Sequence, residues 1–162
     1  MDYKAKPFYL NDEDIKWIEE TFNAMSIEDK INQVLIDMLW KDPIKKLEKI
    51  VQGRCLGGYR YNNQSKENIL KQNATIQRNS KIPALIAANV EGGGNGAMSG
   101  GTKIGDGIAI AATQNPENAY YLGYYGCKEA KAVGCNWTFA HVVDIDYNWR
   151  NCVIPTRCLE MM

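Results

Sequence analysis

The sequence lacks an excess of either charge and lacks any long apolar segment. Nineteen Lys and Arg residues balance nineteen Asp and Glu residues, so the formal net charge over 162 residues is zero. This balance argues against a protein dedicated to nucleic acid or to an anionic membrane, because both require a basic face. The most apolar run, residues 83–88, is far shorter than the ~20 residues that cross a bilayer. Residues 1–14 contain no apolar signal-peptide core, and we therefore expect a soluble, cytoplasmic protein.

Disulfide, metal and nucleophile patterns are also missing. The five cysteines are odd in number and no two of them have C-x-x-C spacing. This usage predicts free thiols in a reducing compartment, without a metal or another cofactor. The single histidine, His141, has no Ser or Cys nucleophile in a recognisable motif. A packed side chain is the favoured interpretation of His141.

The residues that are present suit one soluble domain. Apolar residues make up 45% of the chain, enough for a core at this length. The first third is predicted to be helical: Asn11 can cap a first helix, Ser26 a second, and Pro43 opens a third that stops at Gly53. The second helix is predicted to carry an apolar stripe at helical spacing, formed by Ile31, Val34, Leu35 and Met38.

From residue 54 onwards, short apolar runs alternate with helical stretches. Strands are predicted at residues 55–59, 83–90 and 136–143, with helices over 65–79 and 116–133 between them. The run 83–90 is almost continuously apolar, which is typical of a strand buried on both faces. Strand, helix, strand, helix, strand predicts right-handed crossovers and a parallel sheet of three strands.

The loop after the second predicted strand contains eight glycines but fits no nucleotide-binding motif. The dinucleotide pattern fails because Ser99 occupies its sixth position, and the P-loop pattern fails because Thr102 precedes Lys103. A flexible surface loop would explain the glycines. It would not explain Asn89 and Glu91, which are polar and stand where a buried strand ends. Ligands bind at the carboxyl ends of parallel strands, so this position is a candidate site.

Polar residues also follow the third predicted strand. Asp144 and Arg157 form either a structural ion pair or part of a site. Trp149 is a candidate site residue because it lies in the terminal loop, whereas Trp17, Trp40 and Trp137 are interpreted as core residues. The polar residues of this region are His141, Asp144, Asp146, Asn148, Arg150, Asn151 and Arg157.

Three separated motifs resemble, in order and spacing, the N-terminal domain of glycoside hydrolase family 3. The whole chain, residues 1–162, is expected to be one domain. The resemblance covers residues 26–159, and residues 1–25 contain a leading helix. It implies an exo-acting retaining β-glycosidase, such as a β-glucosidase or β-N-acetylhexosaminidase. The implied fold is α/β, a partial (β/α)8 TIM-type barrel preceded by helices. The motifs are MSIEDKINQVL (25–35), KIPALIAANVEGG (81–93) and GCNWTFAHVVDIDYNWRNCVIPTR (134–157).

The resemblance implies a role for four residues of this chain. Asn89 stands where the family usually has an Asp that binds hydroxyls of the terminal sugar, and an amide can still donate to and accept from hydroxyls. Arg157 matches an arginine near the same sugar. Glu91 matches the glutamate of a loop motif and should shape the site, and Asp144 is expected to be structural and to orient Arg157. The implied partner is a β-linked sugar or oligosaccharide.

The chain departs from the family pattern in the third motif, where His141 and Cys152 replace prolines and Cys158-Leu159 replaces a small residue and Phe. Retaining glycosidases need two carboxyl groups about 5 to 5.5 Å apart. In the family, the nucleophilic Asp and a Lys-His motif lie beyond the point where this chain stops. We therefore assign no catalytic residue in this chain, and do not nominate Asp144 and Asp146 as substitutes.

Three interpretations remain open at this stage. The chain is the first portion of a β-glycosidase barrel and inactive alone; or it is a non-catalytic carbohydrate-binding module that self-associates through its open sheet edges; or it is a truncated product of a longer gene. A full barrel of this type needs roughly 250 residues, and the three predicted strands are about three-eighths of one.

Overall fold

The fold is seen in a computed structural model, which describes residues 1–148, 150–158 and 160–161. Trp149 and Leu159, named above, lie outside these residues, as does the side chain of Asp146. The elements in chain order are α1 (Asp12–Ala24), α2 (Ile27–Asn32), β1 (Ile36–Leu39), α3 (Ile44–Gly53), β2 (Gly58–Tyr61), α4 (Lys66–Asn79), β3 (Leu85–Ala88), α5 (Gly107–Ala112), α6 (Pro116–Ala132), β4 (Trp137–Thr138), β5 (Ile145–Asp146) and β6 (Glu160–Met161).

Strands β1 to β4 form one parallel sheet in sequential order. Each neighbouring pair is joined through at least one helix, as parallel strands require. Strands β5 and β6 form a separate parallel pair. The predicted α/β class with a parallel sheet is therefore confirmed. Within the described residues, no helix has the length and apolarity that a bilayer crossing requires.

Strand β1 was not predicted, and the expected second helix is too long. Helix α2 ends at Asn32, and Met38, assigned above to a helical stripe, lies in β1. Residues 36–39 pair with β2 over their whole length, and Leu39 is buried in the core. Sheet pairing and burial outweigh the helical spacing of the apolar residues here. The sheet has four strands, not three.

Other elements also differ from the sequence-based expectation, among them β2, which spans Gly58–Tyr61 where 55–59 was predicted. The third predicted strand, 136–143, is reduced to Trp137–Thr138, and backbone hydrogen bonds to β3 extend only from Asn136 to Phe139. Helix α5 was not predicted, because its six residues lie directly after the glycine-rich loop and carry no side-chain cap. By contrast, the predicted caps are confirmed: Asn11 and Asp14 form a reciprocal capping box, and Ser26 accepts from the Asp29 backbone N–H at 3.0 Å.

The core lies on one side of the sheet. Because side chains alternate along a strand, one row of each strand faces α3, α4 and α6. We call this side the covered face; its residues are Asp37, Leu39, Tyr59, Tyr61, Ile86, Ala88 and Thr138. Apolar residues of the three helices complete the cluster, among them Leu47, Val51, Ile69, Ile76 and Ala130.

The other side of the sheet is the open face, formed by Ile36, Met38, Gly58, Arg60, Leu85, Ala87 and Trp137. Leu85 is exposed, so the burial expected on both faces of β3 is not found at this end of the strand. Trp17, Trp40 and Trp137 are exposed as well, and their interpretation as core residues is wrong. On the open face Ile36, Leu85 and Trp137 are exposed, whereas Ala87 is buried.

Candidate functional site

The candidate site lies at the carboxyl ends of β2 and β3. Asn89 and Glu91 follow β3 directly, and Arg60 is the penultimate residue of β2. The segment that contains Arg157 returns to the same edge from the far end of the chain. The sequence-predicted residues Asn89, Glu91 and Arg157 are thus brought together.

Arg157 and Glu91 form a bidentate ion pair. The Nε of Arg157 donates to Oε2 of Glu91 at 2.8 Å, and Nη2 donates to Oε1 at 2.8 Å. This fork geometry is specific as well as strong, because two parallel hydrogen bonds fix the plane of the guanidinium. The hydrogen bonds and charge of Glu91 raise the pKa of Arg157, with a smaller contribution from the charge of Asp144.

Glu91 makes the described ion pair of Arg157, and the expected role of Asp144 stays a prediction. Asp144 is exposed, and the ion pair of Arg157 within the described residues is made by Glu91. Asp144 acts on Arg157 only through its charge. Glu91 therefore orients Arg157, because Glu91 follows β3 and lies beside the segment that contains Arg157. Asp144 is exposed to solvent on its own segment.

Asn89 connects this pair to a second arginine. Its Nδ2 donates to Oε1 of Glu91 at 3.3 Å, and its Oδ1 accepts from Nε of Arg60 at 3.1 Å. Arg60, Asn89, Glu91 and Arg157 form one continuous network. Sequence reasoning missed Arg60. The predicted strand, 55–59, stopped one residue before Arg60. The available signal was a charged residue between Tyr59 and Tyr61, which points away from the core once the strand continues to Tyr61.

A small cavity adjoins Arg157 and Glu91. Its volume is about 160 Å³, and Asp106, His141 and Thr156 also line it. The Nδ1 of His141 is buried without a hydrogen-bond partner in the described part of the chain. Small-molecule sites are usually about 300–1,000 Å³. The cavity is therefore smaller than a complete small-molecule site.

The glycine-rich loop packs tightly onto the end of β3. A Cβ atom at Gly96 would collide with the carbonyl oxygen of Asn89, and one at Gly94 would collide with the carboxylate of Glu129. Gly93 has φ = 125°, a conformation that other residues rarely adopt. Gly93 and Gly96 are thus required by close backbone approach beside the candidate site, and Gly94 by the Glu129 side chain, which accounts for them without a phosphate-binding loop.

The site presents polar groups, and each of two carboxylates beside it lies near a basic side chain. Glu91 is held by Arg157, and Asp106 lies 3.6 Å from Nζ of Lys103. A glycosidase needs one carboxylate free to attack and one protonated to donate. Among the described residues of the site, no such pair is found.

The family sequence model of the glycosyl hydrolase family 3 N-terminal domain matches residues 26–159 of this chain. The chain belongs to glycosyl hydrolase family 3. The match begins at the cap of α2 and includes every residue of the network. The family resemblance of the three motifs is thereby confirmed.

The chain is also similar to individual family 3 proteins. It is 31% identical over 157 residues to a β-N-acetylglucosaminidase/β-glucosidase of Cellulomonas fimi, covering 97% of this chain and 28% of that protein. The solved structure of the β-glucoside phosphorylase BglX bound to 2FGlc matches with a TM-score of 0.90 at 31% identity, covering 98% and 29% of the two chains. A second BglX structure has a TM-score of 0.86. The chain spans less than a third of these relatives, and the partial barrel is confirmed.

Proposed function

We propose that this chain supplies the sugar-binding edge of a β-glycosidase that cleaves O-glycosyl bonds of β-linked sugars. The observation that carries the proposal is the bidentate pair of Arg157 and Glu91, with Asn89 beside it, at the carboxyl ends of parallel strands. In this assignment Asn89 and Arg157 bind sugar hydroxyls. Glu91 and Asp144 shape the site.

The donors and acceptors of the network suit a sugar. Glu91 accepts from Nε and Nη2 of Arg157, so among the described contacts Nη1 stays available to a hydroxyl. Each nitrogen and oxygen of the Asn89 amide has capacity for a further hydrogen bond. A sugar hydroxyl both donates and accepts, and it can therefore satisfy either atom of the amide.

The similar proteins support two sugars and two acceptors. One is named for both N-acetylglucosaminides and glucosides, and the other is named as a phosphorylase of β-glucosides. We propose a β-glucoside or an N-acetyl-β-glucosaminide as the substrate class, with water as the acceptor in the hydrolytic assignment. We also propose a cytoplasmic location, which five free cysteines support.

The proposal is tested on the 162-residue chain in two assays. Incubation with nitrophenyl β-glucoside and nitrophenyl N-acetyl-β-glucosaminide should give no turnover, because the described site has no free carboxylate pair. Titration calorimetry should detect binding of a sugar to the chain, and Asn89→Ala or Arg157→Ala should weaken that binding roughly tenfold. Arg54→Ala is the control, since Arg54 pairs with Asp37 away from the site. Turnover by the unmodified chain would contradict its expected inactivity, and turnover that survives both site substitutions would also overturn the site assignment.

A self-associating, non-catalytic module is the second candidate. It is favoured by the open face, whose exposed Ile36, Leu85 and Trp137 are apolar, and by the unpaired outer edges of β1 and β4 in the described sheet. Four sequential parallel strands are half of an eight-stranded barrel, so a second copy could cover both edges. Sedimentation velocity separates the candidates: a dimer at high concentration supports self-association, and a monomer throughout rejects it.

A further inference from the structure

Arg60 is held at the open face by the strand that contains it. Its neighbours Tyr59 and Tyr61 are buried on the covered face, so the side chain of Arg60 lies on the opposite side. In the sheet register, Arg60 lies between Met38 of β1 and Ala87 of β3. Its Nε donates to Asn89, and its Nη1 contacts the Sδ of Met38 at 3.5 Å. A thioether is a weak acceptor, so the outer nitrogens have capacity for a ligand.

The charge of Arg60 has no carboxylate partner within the described residues. The two acidic residues nearest along the network and the sheet are engaged elsewhere, Glu91 with Arg157 at 2.8 Å and Asp37 with Arg54 at 3.3 Å. Asp106, on the adjoining cavity, lies beside Lys103. The network of Arg60, Asn89, Glu91 and Arg157 therefore carries one more positive than negative charge. A half-buried cation without an anion is unfavourable unless a ligand supplies one.

The residue at position 89 keeps that charge available. Asn89 accepts from Arg60 through Oδ1 and donates to Glu91 through Nδ2, so both neighbours fix the amide in one orientation. A carboxylate of the same shape would hold Arg60 equally well but would neutralise it. It would also repel Glu91, only 3.3 Å from the amide nitrogen. The neutral amide positions the guanidinium without pairing its charge.

We propose that Arg60 is an oxyanion-binding residue of the sugar site, and that the oxyanion is a phosphate group. The inference rests on the proposed function, because it takes this edge to be where the sugar binds. A phosphate has several strong acceptor oxygens, which match the remaining donors of a guanidinium fork. The phosphate comes either as inorganic phosphate beside the sugar or as a phosphoryl group on the sugar itself.

Titration calorimetry of the 162-residue chain with glucose, inorganic phosphate and glucose 6-phosphate tests the proposal. Arg60→Gln should weaken binding of at least one phosphate-containing probe roughly tenfold or more, because a charge-assisted hydrogen bond is lost. The fall for glucose should be smaller. Arg54→Gln is the matched control, since Arg54 is an exposed arginine paired with Asp37, and it should leave all three affinities within about twofold of the unmodified chain.

Asn89→Asp provides a second test that keeps Arg60 in place. It changes one atom type and adds a negative charge beside the guanidinium, so phosphate affinity should fall roughly tenfold and by more than glucose affinity. If circular dichroism shows that Arg60→Gln does not fold, Asn89→Asp tests the role of Arg60 on its own.

The outcomes distinguish the source of phosphate and the two proposals. Tight binding of glucose 6-phosphate with weak binding of inorganic phosphate assigns a phosphorylated sugar, whereas binding of inorganic phosphate that coexists with glucose assigns a separate ion. Phosphate binding that depends on Arg60 without any glucose binding would retain the oxyanion site and reject the sugar site. Equal phosphate affinities of the unmodified chain, Arg60→Gln and Asn89→Asp would overturn the inference, as would no binding of either phosphate probe.

Discussion

The two faces of the sheet differ in what covers them. On the covered face, Tyr59 is 1% exposed and Ile86 is 0% exposed beneath the helices. On the open face, Ile36, Leu85 and Trp137 are 40%, 46% and 39% exposed. The same short strands thus supply a packed core on one side and, at Ile36, Leu85 and Trp137, an exposed apolar surface on the other. Stability depends mainly on the covered face, and the candidate site lies at the carboxyl end of the open one.

The parallel register explains how distant residues meet on the open face. Arg60 and Ala87 are partners in the β2–β3 pairing, and Asn89 follows Ala87 by two residues on the same side. An arginine of β2 can therefore reach the residue just beyond β3. The glutamate two residues further on then holds Arg157 across a sequence separation of 66 residues. The fold, rather than proximity in the chain, assembles the network.

The largest contrast is expected from two neighbouring residues of β3. Ile86→Ala should lower the free energy of unfolding by about 3 kcal/mol, because it leaves a cavity in the covered face. Leu85→Ala is the matched substitution on the open face and should cost less than about 1 kcal/mol, since the side chain is already half exposed. Urea denaturation measures both. Equal losses would show that the open face is also packed in solution.

This contrast also shows what could be predicted from the sequence. Helices α3, α4 and α6 and strand β3 follow from caps, glycine stops and a continuous apolar run, which are local signals. Strand β1 could not be found because its apolar residues also fit a helical period, and only pairing with β2 decides between them. Asn89, Glu91 and Arg157 were found from their positions after predicted strands, and the family motifs supplied their expected roles. Arg60 was missed because its role depends on the register between strands.

Alkaline pH should test the covered face through Tyr59. Burial, with a further contribution from the charge of Asp37, raises the pKa of Tyr59 to about 12. The unfolded chain releases this proton near pH 10, whereas the folded protein retains it to about pH 12. Deprotonation therefore favours the unfolded state across this window, and stability should fall by about 2 kcal/mol as the pH rises.

Tyr59→Phe should remove this part of the pH dependence. At neutral pH the substitution should have little effect, because the phenol oxygen is buried without a hydrogen-bond partner in the described structure. Urea midpoints between pH 9 and about 12, compared for the two proteins, measure the difference in slope. Parallel curves would mean that Tyr59 reaches solvent in the folded state.

The carboxyl edge of the open face should respond to loss of one charge. Glu91→Gln removes the anion that fixes Arg157 and should weaken sugar binding about tenfold, while changing the free energy of unfolding by less than about 1 kcal/mol, because both partners are partly solvated. Titration calorimetry and urea denaturation measure the two effects. Glu20→Gln removes an exposed carboxylate of α1 and serves as the control. A stability loss as large as that of Ile86→Ala would assign Glu91 to the core instead.

The smallest effect is expected from the apolar part of the open face. If a second copy covers the open face, Leu85→Asn should weaken self-association about fivefold. The reason is that roughly 1 kcal/mol of apolar burial is lost for each dimer. Tyr124→Asn, an exposed aromatic on the outer side of α6, should leave the association unchanged. Sedimentation velocity over a range of concentrations measures both. If Tyr124→Asn weakens self-association and Leu85→Asn does not, the contact between copies lies on the tyrosine-rich side of α6. The open face would then not be the contact between copies.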